Sequence, residues 1–205
     1  LQTIFYSNFS RRIKKLITTV LLLAFLINEA EAQNLLFNGD FENGGSGNGF
    51  QTQSPYNYLA TLSGNTNPGD YAIITDPQPM NTGYFIHCTD HTSGLGKMMV
   101  IDGTTTGGQQ RFWKAGNSGG GVGPLTIGTT YTFSYWVRSV STTVTDIFTT
   151  ADIGIQFNNA SNVTLTAGST VVPFNNTIGW VQVKYTFVPT NAYVNIEMYN
   201  NNTSA

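Results

Sequence analysis

The 205 residues, 40% of them apolar, are enough for one domain with a real core. Charge is scarce: 10% of residues are Asp, Glu, Lys or Arg, against roughly 25% in an average soluble protein. Outside the first fifteen residues, Lys97, Arg111, Lys114, Arg138 and Lys184 are scattered singly, which excludes the clustered cations that nucleic-acid recognition needs.

The chain opens with a leader. Arg11, Arg12, Lys14 and Lys15 precede an apolar run from Leu16 to Ile27, and Ala30, Glu31 and Ala32 follow it. This order predicts a secretory signal peptide over residues 1–32, with a mature domain from Gln33 to Ala205 that is secreted, extracellular or held at the cell surface. An uncleaved anchor is the other reading, but the run is short for a bilayer. The first residue is Leu1, not Met, which suggests a fragment or an alternative start. Without the leader, five basic residues face nine acidic ones, a net charge of −4. Cys88 is the single cysteine, so no internal disulfide is expected, and its thiol reads as buried and inert.

Asn34 to Phe37 reads as a short apolar strand running into a turn that carries Asp40 and Glu42. Asn43 to Gly49 is a Gly, Asn and Ser loop. Tyr56 and Tyr58 flank the loop that follows, where they either reach a ligand or pin the chain; both readings stand. Tyr71–Thr75 and Tyr84–Cys88 read as strands. The crowd of His87, Cys88, Asp90 and His91 has a zinc-like spacing only on a helix, and the Thr and Gly around it argue against helix. Asp90 and His91 are therefore expected to order a turn through hydrogen bonds to backbone groups.

Gln109–Ala115 reads as a strand with Arg111 and Trp113 on one face and Phe112 on the other. The cleanest alternation is Tyr131 to Val140. Tyr131, Phe133, Tyr135 and Val137 share an apolar face; Thr132, Ser134, Trp136 and Arg138 share the opposite one. Trp136 beside Arg138 offers a flat ring next to a planar donor. The plainer reading is that a neighbouring loop covers Trp136 and that Arg138 is a solvated edge. Ala151–Phe157, Val163–Thr166, Trp180–Val188 and Tyr193–Tyr199 complete a set of roughly ten short strands with turn residues between them and no helical period, the pattern of a sandwich.

Three segments carry a resemblance. NLLFNGDFENG from Asn34, DHTSGLGKMMVIDG from Asp90 and YTFSYWVRS from Tyr131 are similar to secreted bacterial carbohydrate-binding modules of the galactose-binding-like jelly-roll type, over most of residues 34–199. The resemblance implies an all-β jelly-roll sandwich of two antiparallel sheets. It also implies one further Asp-rich strand, so the sequence reads as truncated at its C-terminal end. Hard oxygen ligands at Asp40 and Glu42 suit a structural calcium, and the resemblance adds the carbonyl of Lys97.

The function expected is non-catalytic binding of a polysaccharide or cell-surface glycan. Trp136 and Arg138, with Trp113, Gln156 and Lys184, are the candidate contacts, since sugar C–H faces stack on indole and hydroxyls bond to Arg, Gln and Lys. An adhesive or structural extracellular domain is the alternative. Exposure of Trp113 and Trp136 on one surface separates the two. An enzyme is not expected: the carboxylates show no paired spacing, and the sequence has no nucleophile elbow or zinc-protease motif.

Overall fold

The computed structural model describes residues 34–104, 110–116, 121–142, 151–172 and 179–201. The chain divides into Leu1–Asn34 and Leu35–Ala205, and all that follows concerns the second unit. The signal peptide expected over residues 1–32 lies outside the described residues.

The unit is all-β. Its strands are β1 (Phe50–Gln51), β2 (Asn57–Tyr58), β3 (Asp70–Ile74), β4 (Met98–Ile101), β5 (Gln110–Ala115), β6 (Tyr131–Val137), β7 (Ala151–Asn159), β8 (Thr164–Val172), β9 (Val181–Phe187) and β10 (Val194–Asn200). One sheet has five strands in the order β1-β5-β10-β7-β8; β2-β3-β4 and β6-β9 form two smaller sheets. All pairings are antiparallel except the two-residue contact of β2 with β3.

Alternation builds the core between these layers. Phe133 of β6 and Phe187 of β9 meet Phe157 of β7, with ring centroids 5.7 and 4.8 Å apart, and Trp113 of β5 lies 6.1 Å from Phe133. Phe50, Tyr71, Ile155, Val194 and Ile196, each 2% exposed or less, close the same cluster. A buried Phe or Ile contributes ~1.5–3 kcal/mol through its removal from water, so this cluster holds the sheets face to face. Gly168 of β8 shows how close the layers come: a Cβ there would stand 2.6 Å from the Tyr185 ring.

Three sequence expectations change. Residues 34–37 form no strand; the chain turns instead, with Asn38 and Phe41 at φ of 52° and 62°. The Asn38 side chain donates to the Asn48 carbonyl and accepts from the Asn43 amide, so it braces the loop. Tyr84–Cys88 forms no full strand either. It pairs only around Phe85, opposite Ser141, because Asp76 draws away its end by bonding His87 Nδ1 at 2.5 Å and the Cys88 amide at 3.4 Å.

The third change is in β5. A bulge opposite Met198 and Tyr199 leaves Phe112 as an extra residue, with Trp113 paired to Met198 and Arg111 to Tyr199. The extra residue reverses the alternation. Arg111 and Lys114 therefore share the outward face, and Trp113 turns inward, where it is 6% exposed. Phe112 is buried too, edge-on to Tyr56 at 6.1 Å. Tyr56 thus pins the loop, and burial pushes its phenol up to about 12.

Candidate functional site

The outward face of the five-stranded sheet is polar, exposed at β8 and largely covered at its β5–β10 end. Register lines its residues up in two rows across four strands. One row runs Arg111, Tyr199, Gly154, Ser169; the next runs Lys114, Glu197, Gln156, Ala167. At the β5–β10 end the long side chains form a wall. Arg111 and Lys114 each lie 3.1 Å from Glu197 Oε1, and the Tyr199 hydroxyl donates to Oε2. At the β7–β8 end Gly154, Ala167 and Ser169 are small. A depression of about 340 Å³ opens there, also lined by Gln156, Tyr199 and Asn201.

The electrostatics of the wall follow from this packing. Burial pushes the Glu197 carboxyl up, but bonds from Tyr199 and Lys114 and the charges of Lys114 and Arg111 outweigh it and hold the group below the usual range. Burial, with Glu197 beside it, raises the Tyr199 phenol. Glu197 is thus a saturated acceptor. Two other polar atoms are not: Arg111 Nε and Asp152 Oδ1 are buried without a hydrogen-bond partner among the described residues. Asp152 stands next to Gly154 on the outward side of β7, its other oxygen 3.1 Å from Asn201 Nδ2. An unbonded buried donor and acceptor on one face are costly, by ~1–3 kcal/mol each, and a hydroxyl can satisfy either kind.

The ligand contacts proposed from sequence are divided among four places. Gln156 belongs to this depression. Trp113 is packed in the core at 6% exposure and faces a cleft that Trp136 also lines, rather than the outward face of the sheet. Trp136 and Lys184 lie on the outward face of the β6–β9 sheet, where Trp136 pairs with Gln182 and Ser134 with Lys184. Arg138, half-buried just past β6, lies close enough to Cys88 for its charge to act on the thiol, whose pKa burial raises. Arg111, Lys114, Glu197 and Tyr199 were not singled out as a site by sequence. Arg111 and Glu197 read as ordinary outward strand residues, whereas strict alternation put Lys114 on the opposite face with Phe112.

Trp136 is 40% exposed, but it is not bare. The imidazole of His91 lies over its indole, centroids 3.5 Å apart and planes 13° from parallel, and meets Trp180 edge-on at 6.3 Å. Asp90 sets that position by accepting from the Ser93, Gly96 and Thr92 amides at 2.7, 2.8 and 2.8 Å. The same amides hold the Asp90 carboxyl below its usual range. Asp90 thus orders the turn as expected; His91 makes a ring stack instead of a backbone bond. Trp180 Nε1 donates to the Thr89 carbonyl at 3.1 Å and fastens the loop beside it. A cleft of about 260 Å³ is lined by Asp40, His91, Lys97, Trp136 and Trp180 together with core side chains such as Trp113 and Phe133.

Glu42 contacts both Lys97 and Asp40, and the Lys97 groups that meet it are the backbone amide and the ammonium. Glu42 Oε1 accepts from the Lys97 amide at 2.8 Å, Lys97 Nζ lies 3.1 Å from the Glu42 carbonyl, and Asp40 Oδ1 accepts from the Glu42 amide at 3.3 Å. The carboxylate and carbonyl oxygens of Asp40 and Glu42 are the hard donors that calcium takes, though fewer than its usual six to eight. No group of three or more His, Cys, Asp or Glu side chains suited to a metal occurs among the described residues. Among those residues, too, no helix is long and apolar enough to cross a membrane.

No family model matches the chain, and no curated protein matches it. Among solved structures it is similar to an arabinose-bound GH51 α-L-arabinofuranosidase. The two share 15% identity at a TM-score of 0.50, over 83% of this chain and 24% of that one. At that identity the likeness is one of fold. The matched region is a minor part of the arabinofuranosidase chain.

Proposed function

We propose that this chain is a secreted, non-catalytic carbohydrate-binding module, and that its saccharide lies across the outward face of the five-stranded sheet. The observation that carries the proposal is the pair of polar rows ending in a depression beside Gln156 and Tyr199, with Arg111 Nε and Asp152 Oδ1 buried and unbonded on the same face. A sugar chain matches this in kind. Its hydroxyls both donate and accept, its C–H faces pack on the Tyr199 ring, and the small residues Gly154, Ala167 and Ser169 leave it room. Arg111 and Lys114 are already bonded to Glu197, which suits an uncharged glycan better than an acidic one. Glu197 is held ionised by its three partners, and in this reading it fixes Arg111, Lys114 and Tyr199 as the wall of the site.

A calcium held by Asp40, Glu42 and the Lys97 carbonyl belongs to the same proposal, as a tie between the first loop and β4. The leader of residues 1–32 supports secretion. Burial of Trp113 favours the second reading, an adhesive or structural domain without a sugar ligand.

The test is retention of the domain on a panel of polysaccharides, including arabinan, with and without calcium. Wild type should be retained on at least one neutral glycan, and Gln156→Ala together with Tyr199→Phe should weaken retention about tenfold or more while leaving the fold intact. Retention that neither substitution alters would place the site elsewhere. No retention on any glycan would favour the structural domain.

A further inference from the structure

We infer that Trp136 is a second saccharide platform, kept occupied in the free protein by the chain's own His91, which a sugar ring displaces. The inference rests on the carbohydrate reading above but concerns a different face of the molecule. An imidazole parallel to the indole at 3.5 Å and 13° fills the place that the C–H face of a sugar takes on a tryptophan. The substitute is lightly held. His91 is exposed, and ring contacts with Trp136 and Trp180 are the interactions of its side chain among the described residues. The turn that carries it is, by contrast, firmly set, by Asp90 beneath and by Trp180 bonded to Thr89. The ring can therefore rotate away without the loop unfolding.

What surrounds the platform suits hydroxyl groups. Gln182 and Lys184 are exposed across the strand pair from Trp136 and Ser134, and Asp40 and Lys97 line the neighbouring cleft. Once His91 leaves, these groups stand around a freed indole face. A site whose open form is a minor state binds with an affinity reduced by that fraction. His91 thus sets both the affinity and the selectivity of the platform: a ligand has to stack better than imidazole does.

The test is NMR of the domain with short cello-, xylo- and arabino-oligosaccharides. In the free protein the His91 ring protons should be shifted upfield by the indole current, and they should return towards ordinary positions as an oligosaccharide is added. His91→Ala should bind at this face about three- to tenfold tighter than wild type. His91→Gln, which keeps bulk without a flat ring, should do the same and guards against a folding defect. Trp136→Leu should abolish the response. A His91 ring that stays stacked at saturation, or His91 variants that bind no tighter, would overturn the inference. Tyr199→Phe separates the two faces. If it abolishes all binding, Trp136 included, there is no second platform; if no oligosaccharide binds to any variant, the carbohydrate reading fails and this inference with it.

Discussion

Glu197 carries the clearest residue-scale consequence. One carboxylate holds Arg111, Lys114 and Tyr199 in place on a face that is otherwise solvent-facing. Removing one partner from such a buried group leaves the other charges unpaired, so Glu197→Gln should destabilise the domain by about 3 kcal/mol in chemical denaturation. The pH dependence has a definite sign. The folded-state pKa of Glu197 is depressed, so its contribution is complete above the unfolded value of about 4.3 and is lost as pH falls through the folded pKa. The wild-type melting temperature should therefore drop more steeply than that of Glu197→Gln across the acid range. Equal slopes would show that the network adds no stability.

At the scale of the element, the strand faces were legible and their irregularities were not. Tyr131 to Val137 alternates as its sequence requires, with Phe133 buried and Thr132, Ser134 and Trp136 outward. The β9 and β10 faces follow the same rule, because a period of two is a local property. The bulge at Phe112 is set by pairing with β10, more than eighty residues further on, and nothing local to QRFWKA announces it. It moved Trp113 from a candidate ligand face into the core. The polar rows were hidden for the same reason: each strand gives only one or two members, and only register brings Arg111, Tyr199 and Gly154 into line. Gln156 was legible as an outward planar group, whereas its partners were not. In β8 the alternation can be tested directly. Gly168 faces the Tyr185 ring and Ser169 faces out beside Gly154. Gly168→Val should cost ~1–3 kcal/mol through overpacking, and Ser169→Ala less than about 0.5 kcal/mol, both read from thermal or urea unfolding. The reverse ranking would mean that β8 is turned over.

Over the whole molecule, the two proposed faces lie on opposite layers. The five-stranded sheet offers a shallow polar depression; the β6–β9 sheet offers an indole under a removable cover. Between them the aromatic core from Trp113 through Phe133 and Phe157 to Phe187 is rigid packing that keeps the rows in register. Two weak faces on one domain bind a long polymer more tightly than either alone where both can be spanned together. The sheet face is the central claim. It is tested most directly by mapping backbone amide shifts during titration with a glycan that the domain retains. The account predicts the largest changes at Gly154, Gln156, Ser169 and Tyr199; a bound state that leaves those amides unmoved would contradict it.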